Sequence, residues 1–210
     1  MNTADYRAVL IESFGQRYDT SRDSWTDEQA LRGIVSTLLS ALGPAPARVL
    51  DLGTGRGPDA RALLEAGHQV TGLDLIQTPQ WYELAASYPD RAHFVRADVG
   101  DLASVTGHGE FDAVLDNGCL HHQQPDSYAA VLGQIRAALR PGGTLVLSLF
   151  GTRAEQGVLH NEADGRLSRE FTAAEAVDLL AGTGLELVAL EVVARVRPDR
   201  CYLVLTARAG

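Results

Sequence analysis

The sequence contains no lysine: all 18 of its basic residues are arginine. Chemistry that runs through a lysine amine, as a Schiff base or as the phosphate-gripping lysine of a P-loop, is therefore excluded. Cysteine is nearly absent too. Cys119 and Cys201 are the whole complement, which leaves no disulfide framework and no paired-cysteine metal site. No apolar run approaches the ~20 residues of a membrane-spanning helix. The opening Met1-Asn2-Thr3-Ala4-Asp5-Tyr6-Arg7 lacks a basic stretch followed by an apolar one, so no secretory signal is expected. A basic stripe of the kind that grips nucleic acid is missing as well. Eighteen basic against 27 acidic residues leave a net charge of −9. The nearest approach to a stripe is Arg195, Arg197 and Arg200, interleaved with valine and aspartate. The expectation is a cytoplasmic protein with neither membrane nor nucleic-acid partner. Nothing in the pattern indicates an oligomeric state.

What is present suffices for a core. The chain has 210 residues, 45% hydrophobic and 21% charged, the size and balance of one α/β domain. Residues 2–14 and 26–42 place apolar side chains at helical spacing (Val9, Leu10, Phe14; Leu31, Ile34, Val35, Leu38, Leu39). Thr26-Asp27-Glu28-Gln29 reads as a helix start, and the polar stretch 15–23 as a loop between the two helices. After Gly43-Pro44-Ala45-Pro46 the pattern alternates. Strands are expected at 48–52, 69–73, 93–97, 111–115 and 144–149. Helices are expected at 58–66, 79–88 and 127–140, with a short one near 101–105. Residues 151–170 show no element. Thr172 caps a helix to about 181, and strands at 185–196 and 202–207 follow.

Five β-α units and two terminal strands make a Rossmann-like, doubly wound sheet with helices on both faces. The whole chain reads as a single domain. Residues 1–44 form an N-terminal helical lid and 45–150 a binding core; 151–210 contribute a substrate loop, a helix and the strand pair. Ligands of such sheets bind beyond the carboxyl ends of the strands. Those ends are acidic here. Asp51 lies in the first strand beside the loop Gly53-Thr54-Gly55-Arg56-Gly57, Asp74 ends the second, Asp98 follows the third, and Asp116-Asn117 follow the fourth. Alternate glycines let backbone approach a ligand closely, and a carboxylate at Asp74 is placed to accept from a ribose diol. Each acid alone is an ordinary solvated loop residue; four at successive strand ends point to a site. A dinucleotide loop requires glycine where this chain has Pro58, which argues against a nicotinamide-dependent oxidoreductase.

VLDLGTGRG, GLDL, RADVGDL, FDAVLDNGCLHH and LRPGGTLVLS, in that order, resemble the motifs of class I S-adenosylmethionine-dependent methyltransferases across about residues 45–150. The resemblance implies the strand order 3-2-1-4-5-7-6 with the last strand antiparallel. It implies S-adenosylmethionine as cofactor and methyl transfer to O, N or S of a small-molecule acceptor by in-line displacement. Asp51, Gly53 and Gly55 would hold the methionyl part, and Asp74 the ribose. Leu75 and Ile76 would line the adenine, Asp98 would accept from its amino group, and the Val99 backbone would read the ring edge. Asn117 would sit beside the methionyl amine. The (Asp/Asn)-Pro-Pro-aromatic motif of DNA and protein amino-methyltransferases is not matched, since Asp116-Asn117-Gly118-Cys119 stands there.

His121 and His122 follow the fourth strand, near the expected methyl group, and are the candidates for a general base. A helix-capping or packing role explains them equally well. Adjacent histidines diverge and make no good metal pair, so no metal is expected. Of the lid aromatics Phe14, Tyr18 and Trp25, Tyr18 is the cofactor-side candidate because it lies in the polar stretch. Trp81 and Tyr82 are either adenine neighbours or helix packing. The rival to an enzyme is a catalytically inactive module that keeps the cofactor fold.

Overall fold

The computed structural model describes residues 3–20, 28–195 and 200–210. Trp25, the Thr26-Asp27 helix start and Arg197 lie outside them.

Two helices, α1 (Thr3–Thr20) and α2 (Gln29–Leu42), precede the sheet. Then come β1 (Arg48–Leu52), α3 (Pro58–Glu65), β2 (Gln69–Asp74), α4 (Pro79–Ser87), β3 (Ala92–Arg96) and β4 (Phe111–Asn117). A 3-10 turn, Leu120–His122, follows β4. The chain continues through α5 (Tyr128–Ala138), β5 (Leu139–Thr152), β6 (Val158–Asn161), β7 (Leu167–Glu170), α6 (Ala173–Asp178), β8 (Leu185–Ala194) and β9 (Arg200–Ala209). The main sheet runs β3-β2-β1-β4-β5-β9-β8, and β9 is antiparallel to both neighbours. This is the expected 3-2-1-4-5-7-6 order once the hairpin β6–β7 is counted as an insertion.

Both faces of the sheet are covered, so its strands are apolar on both sides. Along β1 the alternation sorts the core. Val49 joins Ile34, Leu38, Leu63 and Val70 beneath α2 and α3. Leu50 and Leu52 join Val114, Leu132, Ile135 and Leu147 beneath α5. At the start of α6 the Thr172 side chain accepts from Glu175 N while Glu175 reaches back to Thr172 N, a complete capping box.

Two expectations fail. Residues 15–20 are not a loop but the last turns of α1. Their propensity is weak, but tertiary contacts hold them. Arg17 pairs with Asp164 at 3.0 Å, and Arg56 donates to the Tyr18 carbonyl. Residues 151–170 are not featureless either: they form the hairpin β6–β7, paired from Val158↔Glu170 to Asn161↔Leu167. Its strands are only four residues each and largely polar, so no period-2 signal marks them.

Candidate functional site

The site forms where three parallel strands end together. β1 pairs through Leu52↔Leu73 and Leu52↔Asp116, so Gly53, Asp74 and Asn117 emerge side by side at one edge of the sheet.

The glycine loop is held open by its neighbours. Gly55 has φ +53°, a left-handed conformation that side chains with a Cβ rarely adopt. Its N–H donates to Asp74 Oδ2 at 2.9 Å, and its carbonyl accepts from Trp81 Nε1 at 2.7 Å. A Cβ at this position would stand 2.8 Å from the Tyr18 hydroxyl. Bare backbone thus faces the site, with the Tyr18 phenol resting on it. Trp81 is therefore no adenine neighbour. It is 2% exposed, stacks on Phe94 and anchors the loop. Tyr82 is solvent-exposed.

Beneath the loop lies a floor of carboxylates. Asp74 accepts from Ile76 N at 2.9 Å as well as from Gly55, and these bonds oppose the upward push of burial on its pKa. Asp51 is buried and accepts from the Thr54 hydroxyl at 2.6 Å. Burial first, then the neighbouring Asp59, hold its carboxyl well above the usual range. Asp59, in the first turn of α3, is raised by burial to about 6 against the pull of Asn117 and Arg32. Asp116, also raised by burial to about 6, accepts from Cys119 N at 2.8 Å and Leu120 N at 3.1 Å. It braces the turn after β4. Next along the strand, Asn117 donates to Asp59 Oδ2 at 2.7 Å and to the Leu31 carbonyl at 3.1 Å. That fixes its amide and leaves Oδ1 buried without a partner. An unpaired buried acceptor over acidic neighbours calls for a ligand with a cationic donor.

Two adjoining cavities occupy this edge, of about 100 Å³ and about 70 Å³. Tyr18, Gly53 and Asn117 line both. The larger adds Asp74, Leu75, Ile76, Asp98, Val99 and His122, with Phe14 from α1; the smaller adds Asp51 and Gly55. Every cofactor-side residue expected from the sequence therefore lines one cavity or the other. Asp98 is already engaged: Oδ1 accepts from Gly100 N at 2.9 Å, and Oδ2 lies 3.4 Å from Arg7 of α1.

The two histidines part company. His121 lines neither cavity. It is buried, stacks on Phe150 at 3.7 Å and accepts from Phe150 N, and burial holds its pKa well below the usual value. His122 does line the larger cavity, but its Nδ1 lies 2.9 Å from Arg166 Nη1 and 3.0 Å from the Leu167 carbonyl. Burial and the Arg166 charge lower its pKa to about 3. Burial thus favours the neutral imidazole at both positions.

The wall over the cavity is a joint between α1 and the β6–β7 hairpin. The Tyr6 hydroxyl donates to the His122 carbonyl at 2.6 Å and accepts from Leu167 N at 3.0 Å. Ser13 donates to Asp164 at 2.8 Å. Sequence reasoning missed several lining residues, chiefly Arg32, Arg56, Asp59 and Gln123. An acid in a helix's first turn reads as ordinary dipole pairing, and the arginines carry no motif, so no local signal marked them.

A family model described as "Methyltransferase domain" matches residues 24–190. The crystal structure of Burkholderia thailandensis 1,6-didemethyltoxoflavin-N1-methyltransferase, with bound 1,6-didemethyltoxoflavin and S-adenosylhomocysteine, is similar with TM-score 0.93 and 41% identity. The match covers 100% of this chain and 91% of that one. The ubiquinone biosynthesis O-methyltransferase of Psychrobacter cryohalolentis is 32% identical over 134 residues, 60% of this chain and 51% of that protein. The tRNA 5-carboxymethoxyuridine methyltransferase of Escherichia coli K12 is 35% identical over 135 residues, 61% of this chain and 49% of that protein. The chain spans about half the length of these two curated relatives.

Proposed function

The chain belongs to the class I S-adenosylmethionine-dependent methyltransferases, and from that membership we propose that it methylates a nitrogen of a small planar heterocycle, without a metal and without a histidine base. The observation that carries the acceptor class is the 41% identity, over the full chain, to an N1-methyltransferase of 1,6-didemethyltoxoflavin. The apolar and aromatic lining at Leu10 and Phe14 supports a flat ring at that end of the cavity.

The residues fit the cofactor. When bound, S-adenosylmethionine supplies a methyl group on a sulfonium sulfur, already activated for displacement. Asn117 Oδ1, Asp59 and Asp51 are the acceptors for its ammonium group, which would satisfy the orphaned amide oxygen and lower the two raised pKa values. Arg32 and Arg56 line the same cavity and offer counter-charge to a carboxylate. Asp74 offers carboxylate lone pairs to the ribose hydroxyls beside the bonds it accepts from the Gly55 and Ile76 backbone. Leu75, Ile76 and Val99 form the adenine slot. Asp98 offers its Oδ2 to the adenine amino group once Arg7 shifts. The protein's part in the chemical step is to hold acceptor and methyl in line and keep water out. A neutral His122 wall suits that role better than proton abstraction.

Calorimetry with S-adenosylmethionine, followed by labelled-methyl transfer to 1,6-didemethyltoxoflavin and in parallel to unfractionated tRNA, tests this reading. Label on the heterocycle nitrogen is expected. Cofactor binding with label on tRNA alone, or on neither, overturns the proposed acceptor. Chelator in the assay is expected to leave the rate unchanged.

A further inference from the structure

Arg166, on the turn between β6 and β7, is a cation with too little to hold. Its guanidinium lies 5.3 Å over the Phe14 ring, and Nη1 reaches His122. Its Nε is buried with no hydrogen-bond partner. Among the described residues no carboxylate lies within ion-pair distance of it. Asp164, the nearest candidate by sequence, pairs with Arg17 at 3.0 Å, accepts from Ser13 and from the Arg166 backbone N–H, and attracts the guanidinium only at longer range. The other groups facing it are Tyr6 and Arg17 from α1, Glu162 from the hairpin, and His122 from the turn after β4. Tyr6 is raised by burial and His122 is neutral, Arg17 is matched by Asp164, and Glu162 is bonded to Ser168. The side chain is half-buried, Asp164 and Glu162 attract its charge only from beyond ion-pair distance, and its Nε keeps an unmet donor.

What could pair it lies one ring away. His122 lines the larger of the two cavities at the strand ends, and Arg166, which lines neither, places Nη1 2.9 Å from His122 Nδ1, so its charge reaches the acceptor's wall through one imidazole. We infer that the acceptor binds as an anion, its ring nitrogen already deprotonated, and that Arg166 is the positioning residue that selects this form. This rests on the proposed heterocyclic nitrogen acceptor. The proton leaves to solvent before or during binding. The nitrogen lone pair then forms the N–C bond to the methyl carbon while the C–S bond breaks, and sulfur keeps that pair as a neutral thioether. No protein base takes part, in keeping with the two neutral histidines.

The test is calorimetry of 1,6-didemethyltoxoflavin binding to the protein–S-adenosylhomocysteine complex below the free acceptor's own pKa, in two buffers of different ionisation enthalpy, with kcat/KM against pH alongside. Wild type is expected to release close to one proton on binding. Arg166→Gln is expected to lose most of that release, to weaken acceptor binding by about ten- to a hundredfold, and to shift the rise of kcat/KM to higher pH. Arg166→Lys, which keeps the charge, is expected to restore part of the proton release. S-adenosylhomocysteine affinity serves as the check that each variant is folded. Binding without proton release by wild type overturns the inference while leaving the acceptor reading intact. Proton release and pH profile unchanged in Arg166→Gln overturn the role of Arg166. Absence of acceptor binding to wild type overturns the acceptor reading, and this inference with it.

Discussion

At the scale of single residues, the site is a set of carboxylates with unequal tasks. Asp116 holds a turn, whereas Asp74, Asp59 and Asp51 face the cavities. Asp74→Ala is expected to weaken S-adenosylmethionine binding by ~1–3 kcal/mol, the usual loss of a charged hydrogen bond; unchanged affinity by calorimetry would remove it from the ribose site. Asp59 gives a pH signature. Its pKa is raised to about 6 in the free protein, and a cation bound beside it favours the ionised form. Cofactor affinity is therefore expected to be constant above about pH 7 and to fall as pH drops through about 6. Asp59→Asn flattens that dependence; an equally steep curve in the variant counts against the assignment. For His122, Gln keeps an acceptor for Arg166 but cannot serve as a base. The His122→Gln variant is expected to retain kcat within about tenfold, because a lost general base costs ~10²–10⁴. A larger loss restores the imidazole base.

At the scale of elements, α1 closes the site. It contributes Leu10, Phe14 and Tyr18 to the lining of the two cavities at the strand ends. Hydrogen bonds tie it to the hairpin and to the turn after β4. Tyr6 is the buried link, bonding His122 and Leu167 with one hydroxyl. Tyr6→Phe leaves both backbone groups short of a partner, a cost of ~1–3 kcal/mol. Faster amide exchange across residues 3–20, with β1, β4 and β5 unchanged, is the expected outcome. Exchange that rises equally throughout the sheet would show the link to be general stability and not a latch.

At the scale of the whole molecule, apolar clusters cover both faces of the sheet and the proposed cofactor site lies at its edge. Saturation at about a hundred times Kd stabilises the folded state by ~2.7 kcal/mol. For a domain of this size S-adenosylhomocysteine is thus expected to raise Tm by roughly 5–10 °C. A thermal shift assay showing no rise at saturating ligand would count against binding to the native state.

While the sheet order followed from the family resemblance, the sequence by itself determined the alternation of strands and helices, the glycine loop and the acids at the strand ends. These are local properties: hydrophobic period, turn chemistry and residues adjacent in the chain. Expected and observed limits coincide for β1 and differ by a residue or two for α4 and β3. Only the tertiary structure decided the rest. Residues 15–20 became helix because Asp164 and Arg56, far away in sequence, hold their side chains and backbone. The hairpin's strands are four residues each, too short for a period to show. His121 and His122 read alike as neighbours, yet one turn sends His121 against Phe150 in the core and His122 to the cavity beside a guanidinium 44 residues on. A side chain's protonation is set by burial and by the charges the fold brings near, and neither is encoded in its local sequence.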